Sequence, residues 1–349
     1  MNRRQEAAGR SEPSARYAGC TALVVGSTGF LGVNLVNSLM ANGARVRALH
    51  RGTEDGALAP TYGDRKAETI RGDLGDPTVA CDAVRGCDVI FNLSGRSGAT
   101  ASNSDPLADL QENARANLVL LEACRRFNPH VKLIFPSSRL VYKPTTRLPV
   151  RETAPVEPLS IYAIHKLAIE RYHMLYSRAH GLRTTVFRMT NPYGPHPMMS
   201  APDYSVVNWF LDRAMSNQTL PVYGTGSQLR DYIYVDDVTE ALMLAGLDER
   251  SDGQVFNLGS GQPTSFRDMA ETIRDCIGAG RLEFIDWPQD AAAVETGDFI
   301  ANISKIRRTL GWAPQVAFED GVRRAADSIV GTMPKGAGIP VADRPMPTT

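Results

Sequence analysis

Tyr162 and Lys166 stand four residues apart in the run Ser160-Ile-Tyr-Ala-Ile-His-Lys166. Residues at i and i+4 share one helix face, so a phenol and an ammonium meet there. The ammonium is expected to lower the phenol's pKa and make it a usable acid/base near neutral pH. Far upstream lies a glycine-rich turn, Gly26-Ser-Thr-Gly-Phe-Leu-Gly32. Such a turn can hold a dinucleotide, and hydride transfer is the chemistry that an acid/base on a carbinol oxygen would serve.

These groups need elements to place them. Residues 21–25 form a short apolar run that reads as a buried parallel strand, and residues 30–42 carry helical periodicity that stops at Gly43. A second strand is expected over 45–49, which completes a β-turn-α-β unit. The alternation continues: strands at 68–71, 88–93, 131–135 and 184–187, helices at 79–84, 106–127 and 161–180, the last ending at Gly181. Strands alternating with helices imply a Rossmann-like, doubly wound parallel α/β sheet. After about residue 190 prolines and glycines cluster, and a smaller substrate-facing lobe is expected over 191–330, interleaved with the main sheet. The dinucleotide-binding domain then spans 19–190. Residues 1–18 are expected to be a disordered extension and 331–349 a disordered tail.

The chain has 349 residues, enough for a large core, with 43% hydrophobic and 22% charged residues, as in ordinary soluble enzymes. Lys plus Arg equals Asp plus Glu at 38 each, and this balance argues against a nucleic-acid or anionic-membrane partner. The five cysteines are odd in number and no spacing among them matches a zinc pattern, so no metal is expected and reduced thiols in the cytoplasm are.

Each glycine of the turn has a separate job. Gly26 permits the tight turn, Gly29 a close backbone approach to a pyrophosphate, and Gly32 close packing of helix on strand. The backbone of Thr28, Phe30 and Leu31 would join them around the phosphates. The end of the second strand should hold the residue that reads the adenosine ribose. His50 and Arg51 stand there, with no carboxylate before Glu54. An arginine can pair with a 2′-phosphate, which favours NADP; as a surface residue it leaves NAD equally open. Asp73-Leu74 is placed to meet the adenine ring, or Asp73 is a helix cap.

The motifs occur in a telling order: Gly26 to Gly32, Asp73-Leu74, Ser137-Ser-Arg-Leu-Val-Tyr142, Tyr162 to Lys166, Arg188-Met-Thr-Asn-Pro-Tyr-Gly-Pro195, residues 224–237, 256–261 and 305–312. Over residues 20–328 the chain resembles the extended short-chain dehydrogenase/reductases, specifically the NAD-dependent epimerase/dehydratase family acting on nucleotide sugars. That resemblance implies Tyr162 as acid/base, Lys166 on the nicotinamide ribose, and Ser138 on the reacting hydroxyl. It implies Leu93, Ser94, Gly95, Asn113 and Met189 beside the cofactor. It places Asn191 and Arg230 at the nucleotide diphosphate and Asp298 near the nucleoside ribose. A UDP-sugar substrate and a homodimer through the helices at 106–127 and 161–180 are implied too.

The chain departs from the family pattern in two further places. Sugar-nucleotide 4,6-dehydratases carry an Asp-Glu pair after the serine or threonine; here Arg139 and Leu140 stand there, and neither can transfer those protons. A second phosphate-binding arginine is replaced by Glu295. Arg139 could meet an anionic group such as a uronate carboxylate, or serve packing alone. The leading expectation is a nucleotide-sugar C4 epimerase; an NADPH-dependent 4-ketoreductase or dehydrogenase uses the same residues. A non-catalytic dinucleotide sensor would not need Ser138, Tyr162 and Lys166 together.

Overall fold

The computed structural model describes residues 15–52, 61–62, 65–195 and 205–332. Seven strands form one all-parallel sheet: β1 Thr21–Val25, β2 Arg45–His50, β3 Glu68–Arg71, β4 Val89–Asn92, β5 Lys132–Ser138, β6 Arg183–Met189 and β7 Gln254–Leu258. Their spatial order is β7-β6-β5-β4-β1-β2-β3. The order in which successive strands are added changes direction between β1 and β4, and a crevice opens there beyond the carboxyl ends of the strands, where doubly wound folds bind ligands.

Most central strands are buried on both faces, so their sequences run apolar without alternation. One face packs on helix α1 (Phe30–Ala41) and on Val238, Leu242 and Trp312. The other packs on helix α2 (Pro77–Val84) and helix α3 (Ala116–Phe127). Helix α4 (Ile161–His180) is set by its ends. The Ser160 side chain accepts from Ala163 N, and Gly181, at φ 69°, closes the C-terminus with Gly181 N to Ser177 O and Leu182 N to Tyr176 O. The first of these is the 5→1 bond of an αL cap, from the glycine N–H to the carbonyl four residues back. A separate core forms after residue 190 around Phe210, Leu220, Val222 and Met269. It holds helix α5 (Val206–Met215), helix α6 (Val235–Leu247) packed back on the sheet, and helix α7 (Phe266–Ile277). A final helix, α8, spans Phe318–Thr332.

Two expectations need correction. The helix over 106–127 is not uniform: an α-turn at Pro106–Asp109 and a π-helical stretch at Leu110–Arg115 precede α3. The Asn117 side-chain amide donates to the Asn113 carbonyl at 2.8 Å, taking an oxygen that the backbone ladder would use. Residues 15–18, expected within the disordered extension, belong to the fold. Tyr17 is fully buried and its hydroxyl donates to Met243 O at 2.7 Å. Residues 1–14 of the extension and 333–349 of the tail lie outside the described residues. All five cysteines are free, and among the described residues no helix is long and apolar enough to cross a membrane.

Candidate active site

A cleft opens over the switch point between the glycine turn after β1, the loop after β4, the end of β5 and the start of α4. Gly26, Gly29, Phe30, Leu31, Gly32, Leu93, Ser94, Gly95, Ser138, Arg139, Tyr162, Lys166, Met189 and Asn191 all line it. The sequence spread these residues over half the chain; parallel strands that end on one edge bring them together.

Ser138 is the last residue of β5. Its Oγ accepts from Leu140 N at 3.2 Å, and its hydroxyl favours the charged form of the Tyr162 phenol. Tyr162 sits on the first turn of α4, where its N–H donates to the buried Ser102 hydroxyl at 2.9 Å. Lys166, one turn on, donates to Pro136 O at 3.2 Å, and its Nζ lies 5.7 Å from the Tyr162 ring centre. One hydroxyl, one phenol and one ammonium therefore converge on the end of a single strand. Such a set can remove a proton from a carbinol oxygen and return it.

The electrostatics differ from the sequence expectation. Burial pushes the Tyr162 phenol up to about 12, the Ser138 bond working against that shift and the Asp109 charge adding to it. Burial pushes Lys166 down to about 8, opposed by Asp109 and Glu170. Desolvation is the largest cause for both groups. Asp109, fully buried, faces His165 Nδ1 at 2.5 Å and ties the α-turn before the π-helical stretch to α4.

Below the cluster lies a buried ion pair that the sequence reading missed. Arg188 donates to Glu170 through Nε at 3.1 Å and Nη2 at 2.8 Å, and Ser137 Oγ donates to Glu170 at 2.6 Å. It fixes β5, β6 and α4 in register under the reacting groups. A second missed feature is an amide relay. Asn92 donates to Asn117 Oδ1 at 2.6 Å, and the Ser94 hydroxyl donates to Asn92 Oδ1 at 2.6 Å. Asn113, fully buried, donates to Arg96 O at 3.1 Å. The relay holds the 93–96 loop, and a Cβ at Gly95 would meet Asn113 Oδ1 at 2.2 Å. Two asparagines four apart, at 113 and 117, on an otherwise apolar face were the available signal. Arg96 also lines the cleft and was not singled out.

The turn fits a dinucleotide on its own geometry. A Cβ at Gly32 would lie 2.1 Å from Gly26 O, and one at Gly26 would lie 2.9 Å from Leu93 O. No side chain caps the N-terminus of α1, so its first N–H groups face the cleft. Thr28 lies within this turn. The Asn113 Oδ1 is buried without a partner among the described residues.

Other expected site residues sit elsewhere. His50 ends β2 and Arg51 follows it, outside the cleft lining. Arg51 is paired with Glu112 at 3.0 Å, which weakens the argument that it awaits a 2′-phosphate. Burial, then Arg71, pushes His50 below its ordinary range. Glu54 lies outside the described residues. Asp73 accepts from Gly75 N at 2.7 Å and does not cap α2; Asp76 does, accepting from Thr78 N, while Leu74 is buried in the core beside them. Arg230 is buried and held by Glu295 rather than exposed to the cleft, and Asp298 accepts from Leu229 N at 2.8 Å. Among the described residues no group of three or more acidic, histidine or cysteine side chains could hold a metal.

A doubly wound sheet with a glycine turn at its switch point and a Ser–Tyr–Lys cluster beside it is the arrangement of a short-chain dehydrogenase/reductase. Residues 22–259 match the NAD dependent epimerase/dehydratase family, and the chain belongs to it as an enzyme of that family. It is 31% identical over 309 residues to dTDP-glucose 4,6-dehydratase of Streptomyces niveus, covering 86% of this chain and 90% of that one. It superposes with a TM-score of 0.80 at 28% identity on the UDP-glucose 4-epimerase of Thermotoga maritima solved with UDP-glucose, covering 89% of this chain and 99% of that one. The Thermus thermophilus UDP-glucose 4-epimerase complex with NAD matches with a TM-score of 0.79 at 26% identity, over 90% of this chain and 100% of that one.

Proposed function

We propose that this protein is a nucleotide-sugar epimerase that inverts C4 through a 4-keto sugar. Tyr162 takes the proton of the C4 hydroxyl, Ser138 orients that hydroxyl, and Lys166 holds the nicotinamide ribose. Bound NAD supplies the reversible hydride acceptor. After the 4-keto sugar turns over in the cleft, Tyr162 returns the proton to the new alcohol. Gly26, Gly29 and Gly32 would hold the pyrophosphate, with Leu93, Ser94 and Gly95 along the cofactor.

One observation carries the choice of epimerase over dehydratase. The positions that would supply a dehydratase's two proton carriers hold Arg139 and Leu140, 3% and 8% exposed, and neither is an acid or base of the needed kind. The Arg51–Glu112 pair weakens the feature that favoured NADPH and ketoreduction. The UDP-glucose complex of the T. maritima relative supports a UDP-sugar as the substrate class. Large exposed apolar residues (Leu107 at 73%, Ile164 at 47%, Leu175 at 49%) lie on the 106–127 segment and α4, which supports a homodimer through that face.

The deciding experiment denatures the purified protein, identifies the released dinucleotide by mass spectrometry, and incubates the native protein with UDP-glucose and other UDP-hexoses. Stoichiometric NAD and formation of a C4 epimer without added cofactor are the expected result. A protein that needs external NADPH and reduces a 4-keto sugar would refute the assignment.

A further inference from the structure

The opening of α4 carries Tyr162 and Lys166, and the N–H groups of its first turn all find acceptors. Ile161 N donates to Asn103 Oδ1 at 3.0 Å, Tyr162 N to Ser102 Oγ at 2.9 Å, Ala163 N to Ser160 Oγ at 3.3 Å and Ile164 N to Ser160 O at 3.0 Å. Ser102 and Asn103 belong to a short helix, Ala99–Ser104, that directly follows the 93–98 loop of the cleft. The next contact between the same two segments is that of His165 Nδ1 with Asp109 Oδ1. A carboxylate only accepts, so Nδ1 is the nitrogen that carries hydrogen here, a tautomer assigned from the acceptor it meets.

Two buried carboxylates act on Lys166, and they are engaged differently. Glu170 is closed by the Arg188 guanidinium and the Ser137 hydroxyl. Asp109 is fully buried, pairs with no Lys or Arg among the described residues, and its Oδ2 is buried without a partner among them. An imidazole can donate to a carboxylate without cancelling its charge, whereas a guanidinium is always charged. Lys166 forms no ion pair among the described residues; its ammonium donates to Pro136 O at 3.2 Å and lies 4.7 Å from the Phe135 ring centre. The titratable groups that face it are Tyr162, Glu170 and His173 of its own helix and Asp109 of the segment packed on that helix. β5 meets it with Phe135 and the Pro136 carbonyl, and β6 reaches Glu170 through Arg188. Asp109 faces His165, Tyr162 and Lys166, while Asp105 and Glu112, near it in sequence, are paired with Arg96 and Arg51.

We infer that Asp109, held by His165, is a positioning residue for the reacting pair: it seats the opening of α4 and supplies the anionic neighbour that keeps Lys166 an ammonium. The use of that ammonium in turnover rests on the epimerase reading above; its charge state does not. Burial pushes Lys166 down, and Asp109 opposes that before Glu170 does; the same charge helps hold the Tyr162 phenol up. Without it both groups should titrate lower, the ammonium because it loses a counter-ion and the phenol because its anion loses a repelling neighbour.

The test follows Lys166 against pH by NMR in the purified holoprotein, isotope-labelled at the lysine ε carbons, with the signal assigned by its loss in Lys166→Arg. Asp109→Asn keeps an acceptor for His165 and drops the charge, so the Lys166 midpoint should fall by about 0.5 pH unit or more. Should Asp109→Asn not fold, Asp109→Ser, smaller and also neutral, makes the same comparison. Seating is read separately, from progress curves with UDP-glucose. His165→Leu should lower kcat by about 10-fold or more with KM within about 3-fold of wild type. His165→Asn, which keeps a donor toward Asp109, should restore kcat to within about 3-fold of wild type. A Lys166 midpoint in the neutral variant within about 0.2 unit of wild type overturns the inference. So does a His165→Asn protein as impaired as His165→Leu. A wild-type protein that turns over no UDP-hexose refutes the epimerase reading, while the Lys166 midpoint still decides the role of Asp109.

Discussion

Gly32→Ala tests whether the glycine turn is shaped by packing, by ligand approach, or by both. The new Cβ would sit 2.1 Å from Gly26 O and 2.8 Å from the Ser27 backbone. An ordinary contact begins at 3.4 Å, so the shortfall (3.4 minus 2.1) is 1.3 Å, and the obstacle is main chain that no rotamer change can move. Either α1 or the turn must shift by about that much. Overpacking of this kind costs ~1–3 kcal/mol, which lowers Tm by about 1.5–4 °C in a chain of this size, at ~2.1 cal/mol/K of unfolding entropy per residue. A displacement near 1 Å at a positioned group costs about 10²-fold in function. Gly29→Ala is the control. Its Cβ would lie 3.4 Å from Gly26 O, and its φ of −74° suits any residue, so with the cofactor stripped from both proteins the fold should keep its Tm within about 1 °C. If Gly29 is there to let a pyrophosphate approach, Gly29→Ala loses NAD while its cofactor-free form keeps its stability. Both variants are read by mass spectrometry of NAD released per protomer and by thermal unfolding. A Gly32→Ala protein with stoichiometric NAD and wild-type Tm would refute the packing argument; a Gly29→Ala protein with full NAD would refute the approach argument.

Three other expectations follow from the same geometry. Tyr162→Phe should cut epimerisation by about 10²-fold or more and leave bound NAD in place, as read by progress curves and cofactor release; near-normal turnover would remove Tyr162 from the chemistry. Glu170→Ala strands the buried Arg188 guanidinium and the Ser137 hydroxyl, so chemical denaturation should show a loss of about 3–5 kcal/mol; a loss under about 1 kcal/mol would mean that the pair does not anchor α4 to the sheet. His173 is fully buried against Phe135, and burial pushes it down to about 3. The unfolded chain binds its proton below about 6.5 and the folded chain does not until about pH 3, so stability falls as pH drops through that window, by ~1.4 kcal/mol per unit. His173→Leu should flatten the dependence of Tm on pH between 4 and 6.5; an unchanged slope would show that other groups carry the acid sensitivity.

The parts of the site that were legible in the sequence are those whose function depends on local spacing. Gly26, Gly29 and Gly32 announce a βα turn because each spacing answers a backbone contact within one unit, and Tyr162 and Lys166 announce a shared face because the helix repeat puts them there. Strand after strand read as buried because a parallel sheet covered on both faces admits no polar alternation. The sequence also showed, at Arg139, Leu140 and Glu295, where this chain departs from its family. Tertiary structure decided everything that depends on neighbours from distant segments. It paired Arg51 with Glu112, Arg230 with Glu295, and Arg188 with Glu170, partners 61, 65 and 18 positions apart by their numbering. It broke the 106–127 helix with a π-helical stretch, beside which Asn113 meets Arg96 O in the loop after β4 and Asn117 meets Asn92 at the end of β4. It raised the phenol where spacing alone promised a lowered one, because desolvation is set by what packs around a group. A sequence lists charges and periodicities; which charges meet, and how much water each one keeps, is fixed only when the sheet closes over them.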